Sequence, residues 1–310
     1  MVRTAMYPLR GIALKLGAVM CFIVMFVLIK AARVPAGEAV FFRSFFAMPV
    51  IIVWLIMRRE LKSGFKVKSV SAHALRGVMG TMAMGLNFAA LTLLPLPEVT
   101  ALGYAMPLLV VVFAAMFLNE KVGIFRFGAV GVGLVGVMIV MAPRLTLTAG
   151  DSVQTTQLIG VVLVLFGATF GALSQIHIRN MVQSEQTSAI VFFFSLTSSA
   201  LALLTLPFGW VVPQGWDWAA LICCGLVGGL GQILLTSSYK FADASLVAPF
   251  DYASMIFAVL FGYFLFDEVP TIQTLVGALI VICAGVAIIL RERHLGIQRG
   301  KARQAKNPFG

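Results

Sequence analysis

Asp251 lies about seven residues, or roughly 10 Å, into an apolar run covering 244–266. A carboxylate at that depth can carry a proton, bind an amino group, or pair with a cation such as Lys15 or Lys240. Lys15 sits about one turn inside its own run, where its long stem can snorkel to the boundary. It joins Asp251 as a coupling or gate candidate. Arg43 is also about one turn inside a run. Its planar guanidinium suits bidentate carboxylate binding, and a salt bridge with Glu38 or a neighbouring segment is the structural alternative. Tyr104 and Tyr252 each lie about two turns inside, where ring and hydroxyl can serve a substrate or simply pack. Asn87, Gln175 and Gln232 bring amides that need a partner on another helix or on a ligand. Arg43, Asn87, Tyr104, Gln175, Gln232, Asp251 and Tyr252 therefore form the candidate binding set, while His177 reads as a boundary residue.

Catalytic chemistry is missing. The chain has no H-E-x-x-H, G-x-S-x-G or G-x-G-D pattern and no P-loop, so no enzyme, no nucleotide hydrolysis, no metal and no cofactor are expected. Gly131–Gly136 fits G-x-G-x-x-G, but no strand precedes it, and it lies within an apolar run. Cys21, Cys223, Cys224 and Cys283 all fall in apolar runs and read as packed thiols.

The elements that hold these residues follow from composition. Of 310 residues, 60% are hydrophobic and only 11% are charged; the mean hydropathy is +1.00. That is too little charge to cover a soluble domain, for which about 25% is usual. Ten apolar runs are each long enough to cross a bilayer: 12–31, 39–57, 74–94, 97–118, 124–142, 158–178, 187–206, 218–239, 244–266 and 271–290. Prolines 35, 95, 97, 143, 213 and 270 mark run ends. Trp54, Trp210, Trp216 and Trp218 read as an interfacial belt. Long unbroken runs speak against a β-barrel. Arg3 and Arg10 precede a run too long for a signal core, so it is taken as the first span.

The net charge of +11 then reports orientation. Among the 23 Lys and Arg, Lys15 and Arg43 lie inside runs. If the N-terminus is cytoplasmic, Lys30, Arg33 and Arg144 fall outside and the remaining 18, Arg76 among them, fall inside. Both termini are expected in the cytoplasm. Nucleic acid is not expected as a partner, because orientation already accounts for the basic tail.

The sequence also matches itself. At a shift of 148, Tyr104 falls on Tyr252, Val111 on Val259, Phe113 on Phe261 and Glu120 on Glu268. At 149, Gly128 falls on Gly277, Gly136 on Gly285, Gly11 on Gly160 and Lys30 on Arg179. Each half holds five spans, so the second half enters the membrane inverted. Such repeats recur in secondary transporters, with the site between the halves near the midplane.

With these features the chain resembles the drug/metabolite transporter superfamily, in its ten-span form with two EamA-type repeats. The resemblance rests on Phe42-Arg43-Ser44, Leu75-Arg76-Gly77, Leu86-Asn87-Phe88-Ala89-Ala90-Leu91, Ala101-Leu102-Gly103-Tyr104 with Pro107, Asn119-Glu120-Lys121, Gly128 and Gly136. In the second half it rests on Tyr252, Asp267-Glu268, Gly277 and Gly285. Met255 stands where the first half has Pro107, so a kink there is expected to be absent. The resemblance implies an inner-membrane carrier of small polar metabolites. The first four spans of each half would line the cavity, and the fifth and tenth would be packing supports. It is similar to bacterial amino-acid and aromatic-metabolite exporters.

The expected fold is an all-α membrane protein of ten transmembrane helices in two inverted five-helix repeats. The divisions are 1–148, 149–295 and a basic cytoplasmic tail, 296–310. The expected partners are a small-molecule substrate and the lipid bilayer; a monomer suffices and a homodimer is compatible. Export of amino acids by alternating access is the favoured function. Uptake of a nucleoside-like or vitamin metabolite is the alternative within the class. A membrane sensor or scaffold, or an intramembrane enzyme, is the alternative outside it.

Overall fold

A computed structural model describes residues 8–61, 64–117, 124–145, 152–181, 184–241 and 248–306. Asn119, Glu120 and Lys121 lie outside the described residues. The helices are α1 (Pro8–Ala32), α2 (Ala36–Phe45), α3 (Ala47–Met57), α4 (Val70–Leu91), α5 (Leu96–Gly103), α6 (Ala105–Phe117), α7 (Ile124–Leu145), α8 (Ser152–Met181), α9 (Thr187–Leu203), α10 (Trp216–Phe241), α11 (Ala253–Phe266) and α12 (Ile272–Lys306). Two 3-10 turns, Leu206–Phe208 and Ala248–Tyr252, complete the described regular structure. Taken as passes, α2 continues into α3, α5 into α6, and the second turn into α11, which makes ten. The near face of the bundle is the one at which α1 begins, and the far face the one at which it ends.

Two of the breaks have a covalent cause. Proline cannot donate a hydrogen bond to the carbonyl four residues back. Pro49 and Pro107 therefore strand the carbonyls of Phe45 and Gly103, the residues at which α2 and α5 end. The ninth pass departs from expectation. It breaks at Tyr252 although Met255 replaces the proline. Hydroxyl groups stabilise this break instead: Ser254 Oγ donates to the Asp251 carbonyl at 2.7 Å and Tyr104 Oη to the Tyr252 carbonyl at 3.2 Å. α12 also runs well past the expected end at 290, so the basic tail is helical as far as Lys306.

The packing repeats the inversion. The first span of each half lies on the third span of the other, α1 on α10 and α8 on α4. α2 meets α9, and α5 meets α11. α7 and α12 pair with each other. They cross where Gly136 and Gly277 bring the backbones together; an added Cβ would stand 2.8 and 2.5 Å from the opposite carbonyl oxygen. Side chains such as Phe208, Phe264, Leu279 and Met138 project outward as a lipid-facing belt. Five helical segments among the described residues are both long and apolar enough to cross a bilayer by themselves. α4 has the length but not the hydropathy, because His73, Arg76, Thr81 and Asn87 interrupt it. Cys223 and Cys283 are exposed on the outside rather than packed, while Cys224 is buried.

Candidate functional site

Three helices bring two arginines together. Arg43 is about two turns into α2 from the far face, and Arg76 about two turns into α4 from the near face. They meet at Phe194 of α9. The guanidinium carbons lie 5.4 Å (Arg43) and 4.0 Å (Arg76) from its ring centroid. Both are buried, at 4% and 8% exposure. Arg43 Nε, Arg76 Nε and Arg76 Nη1 have no hydrogen-bond partner, and neither do the hydroxyls of Ser44 and Ser195, the residues that follow Arg43 and Phe194 in sequence. The ion pairs among the described residues join other groups. Glu38 in particular accepts from the Val211 N–H at 3.1 Å instead of meeting Arg43. Small residues make room: a Cβ on Gly80 would strike Arg76 Nη1, and one on Gly228 would stand 3.4 Å from Arg43 Nε. Stacking on an aromatic ring returns about 2 kcal/mol per desolvated cation, whereas desolvating an ion costs several. The centre is thus strongly cationic and under-compensated.

The α4–α9 seam beside it is rich in hydroxyls. Thr81 and Ser198 share a hydrogen bond at 2.7 Å, and Ser199 donates to the Ser195 carbonyl at 2.9 Å.

A second charged centre joins α1 to the turn before α11. Lys15 Nζ and Asp251 Oδ1 are 2.7 Å apart, with side-chain exposures of 2% and 50%. Next to it the repeat-related tyrosines meet edge to face, with ring centroids 5.0 Å apart. Tyr104 Oη also lies 2.7 Å from Ser254 Oγ. A Cβ on Gly285 would strike the Tyr252 hydroxyl.

The three amides lie elsewhere. Asn87 Nδ2 donates to the Ala83 carbonyl of its own helix at 2.7 Å and packs against Gly167 of α8. Gln175 and Gln232 are half-buried on α8 and α10. His177 Nε2 lies 3.0 Å from the Ala72 carbonyl at the near face. The structure therefore distributes the candidate set over two charged centres and separate amide positions.

Each face is tied across the halves. At the far face Lys30 Nζ is 2.6 Å from Glu268 Oε1 and donates to the Leu94 carbonyl at 2.9 Å. Glu268 Oε2 accepts from the Leu96 N–H at 2.8 Å. Asp267, in a left-handed conformation at φ 54°, turns the chain so that Glu268 reaches back. A cleft of about 710 Å³ opens here, bordered by Lys30, Arg33, Thr92, Pro95, Phe266 and Glu268. At the near face Glu185 accepts from the Lys68 N–H at 2.9 Å and the Ser69 N–H at 2.8 Å, and lies 3.5 Å from His73 Nε2. Glu38 and Glu185 are counterparts. Each precedes or opens the second span of its half and caps the segment leading into the third span of the other.

Burial works against the Glu185 charge, but the Lys68 and Ser69 N–H groups and the His73 ring outweigh it and hold the carboxyl below the usual glutamate range. A depressed carboxyl pKa stabilises the fold above the unfolded value, about 4.3, and that contribution is lost as pH falls through the folded value. Glu185→Gln should lower the melting midpoint of the detergent-solubilised protein at neutral pH. The gap from the parent should stay constant down to about pH 5 and close on further acidification. A gap that is independent of pH would refute the capping role.

Sequence reasoning missed two parts of this geometry. A count of charges for orientation places Arg76 with the cytoplasmic loops, although it lies inside the run 74–94, in an Arg-Gly-x-x-Gly stretch that leaves room for its own side chain. Phe194 carried no signal, since one phenylalanine among 25 is not distinctive.

Two opposed helical halves, apolar outside and charged along the seam, define a multi-pass membrane protein built as an inverted repeat. The chain belongs to the EamA-like transporter family, which it matches twice, over residues 9–142 and 158–291. It is 29% identical over 281 residues to the pseudopaline exporter CntI of Pseudomonas aeruginosa strain UCBPP-PA14, covering 90% of this chain and 95% of that one. It is 27% identical over 261 residues to the S-adenosylmethionine uptake transporter of Rickettsia felis, covering 84% and 85%. A transporter of Helicobacter pylori strain J99 is 29% identical over 292 residues, covering 90% and 94%. A crystal structure at 19% identity superposes with a TM-score of 0.65 over 92% of this chain and 98% of the other, a likeness of fold alone. The family and these relatives mark a small-metabolite transporter.

Proposed function

We propose that the chain is a secondary carrier that moves small amphiphilic metabolites, amino acids foremost, across the bacterial inner membrane. It works by alternating access, with both termini cytoplasmic and export as its working direction. The observation that carries this reading is the seam itself. Buried charged groups collect where α1, α2 and α4 of one half meet α9, α10 and the turn before α11 of the other. The pairing of α7 with α12 away from these groups fits their part as supports. The proposed division follows the repeats, 1–148 and 149–295, and one chain closes its own seam, so a monomer is adequate. On this reading the near face is cytoplasmic. One relative is an exporter and another an uptake transporter; direction then follows gradients, because a carrier is reversible.

The test is counterflow in proteoliposomes, with radiolabelled amino acids and S-adenosylmethionine as the panel. A carrier loads label against an excess of the same unlabelled compound inside, and its initial rate saturates. An enzyme, sensor or scaffold gives no counterflow. If S-adenosylmethionine loads while every amino acid fails, the nucleoside-like alternative replaces the amino-acid reading.

A further inference from the structure

We propose that Arg43 and Arg76, stacked on Phe194, form the binding site for the carboxylate of the transported metabolite, so that the substrates are carboxylate-bearing anions or zwitterions. This rests on the carrier reading above and adds to it a chemical class of substrate and an anchoring point. Two guanidinium groups share one aromatic ring at the seam between the halves, and both are more than nine-tenths buried. A guanidinium cannot shed its proton to escape burial, as a lysine or histidine can. Two like charges close together in a low-dielectric interior raise that cost further. No carboxylate among the described residues pairs with either one. Glu38, on the same helix as Arg43, is engaged with the Val211 N–H, and Glu185 caps α4. Yet Arg43 Nε, Arg76 Nε and Arg76 Nη1 are left as buried donors without acceptors.

A planar carboxylate supplies what is missing. It offers one negative charge and four lone-pair directions, and it accepts from the forked edge of a guanidinium through two parallel bonds. The arginines approach from opposite faces of the membrane. A substrate held between them is therefore reachable from whichever side opens, as alternating access needs at a midplane site. Gly80 and Gly228 leave the space that the two side chains occupy.

The experiment uses the full chain in nanodiscs and reads thermal stabilisation at constant ionic strength. The probes are the L-amino acids against their C-terminal amides, succinate against succinamide, and inorganic phosphate. At least one carboxylate should raise the melting midpoint of the parent while its matched amide does not. Arg43→Gln and Arg76→Gln should each weaken that carboxylate about tenfold or more, as loss of a charged hydrogen bond does. Without ligand, both variants should melt no lower than the parent, because each removes an uncompensated buried charge; a structural ion pair would give a lower midpoint. The parent comparison of acid with amide stands even if a variant fails to fold. Equal stabilisation by acid and amide, stabilisation by phosphate alone, no response to any carboxylate, or unchanged affinity in both folded variants would each overturn the proposal. Counterflow separates the two levels. Counterflow of a neutral compound untouched by the arginine changes would keep the carrier and reject this site. Carboxylate binding without counterflow would keep the site and reject the carrier.

Discussion

Asp251→Asn should destabilise the protein more than Lys15→Met, and the double change should recover much of the loss. The asymmetry follows from burial. Lys15 is 2% exposed and Asp251 about half exposed at the side chain. Removing one member of a buried pair costs about 3–5 kcal/mol when the survivor stays buried and charged. Asp251→Asn takes the carboxylate from the fully buried ammonium, so a cost of about 3 kcal/mol is expected. Lys15→Met leaves a half-exposed carboxylate that can take up a proton and shed its charge, and a smaller cost follows. The double variant exchanges an ion pair for neutral groups, which is often close to neutral in stability. Melting midpoints of the four proteins in one detergent form the cycle that measures the coupling. Equal single losses, or additive ones, would show that the 2.7 Å contact does not organise α1 against the turn before α11. Flux across a pH series in the double variant adds a functional readout. It should keep the parent profile; loss of a pH-driven component there would make Asp251 a proton carrier.

The far-face tie should be the second sensitive point. Glu268→Ala removes an ion pair with Lys30 and an acceptor for the Leu96 N–H at one stroke. The two bonds join the second half to the end of α1 and the start of α5, so their loss acts on closure of the far face rather than on one helix. Each is partly exposed, so about 1 kcal/mol apiece is a fair expectation, and about 2 kcal/mol together shifts a two-state population about thirtyfold. Hydrogen exchange is the direct measurement. The Leu96 amide should exchange faster in Glu268→Ala, while the Lys68 and Ser69 amides, held by Glu185 at the opposite face, should not. Counterflow should become slower with no drop in melting midpoint comparable to that of Asp251→Asn. Unchanged protection at Leu96 would mean that the contact does not hold this face shut.

Much of the site's composition was visible from scarcity. Charge is so rare in the runs that Lys15, Arg43 and Asp251 stand out singly, and reach alone makes Lys15 a partner for Asp251. The repeat pointed to Tyr104 and Tyr252 as equivalents, and they meet across the seam. Symmetry also put Lys30 and Glu268 among the matched positions, yet it could not say that they touch, since each was aligned with a residue of the other half rather than with its contact. Arg76 shows where the reading fails. Counting charges for orientation assigns a basic residue near a run boundary to the loop, because hydropathy averages over the window and does not see which side of a helix faces inward.

The sequence by itself determined the ten passes, their alternating direction and the inverted duplication. Each of these depends on local quantities, namely hydrophobic length, proline positions and self-similarity at a fixed shift. The tertiary structure decided which polar groups meet. Arg43 and Arg76 are 33 positions apart and Phe194 is more than 100 further on. They converge only because α2, α4 and α9 pack at one place in the seam. Contacts between residues so far apart depend on helix crossing and rotation, and those are set by how small residues such as Gly80 and Gly228 let neighbouring helices and side chains fit.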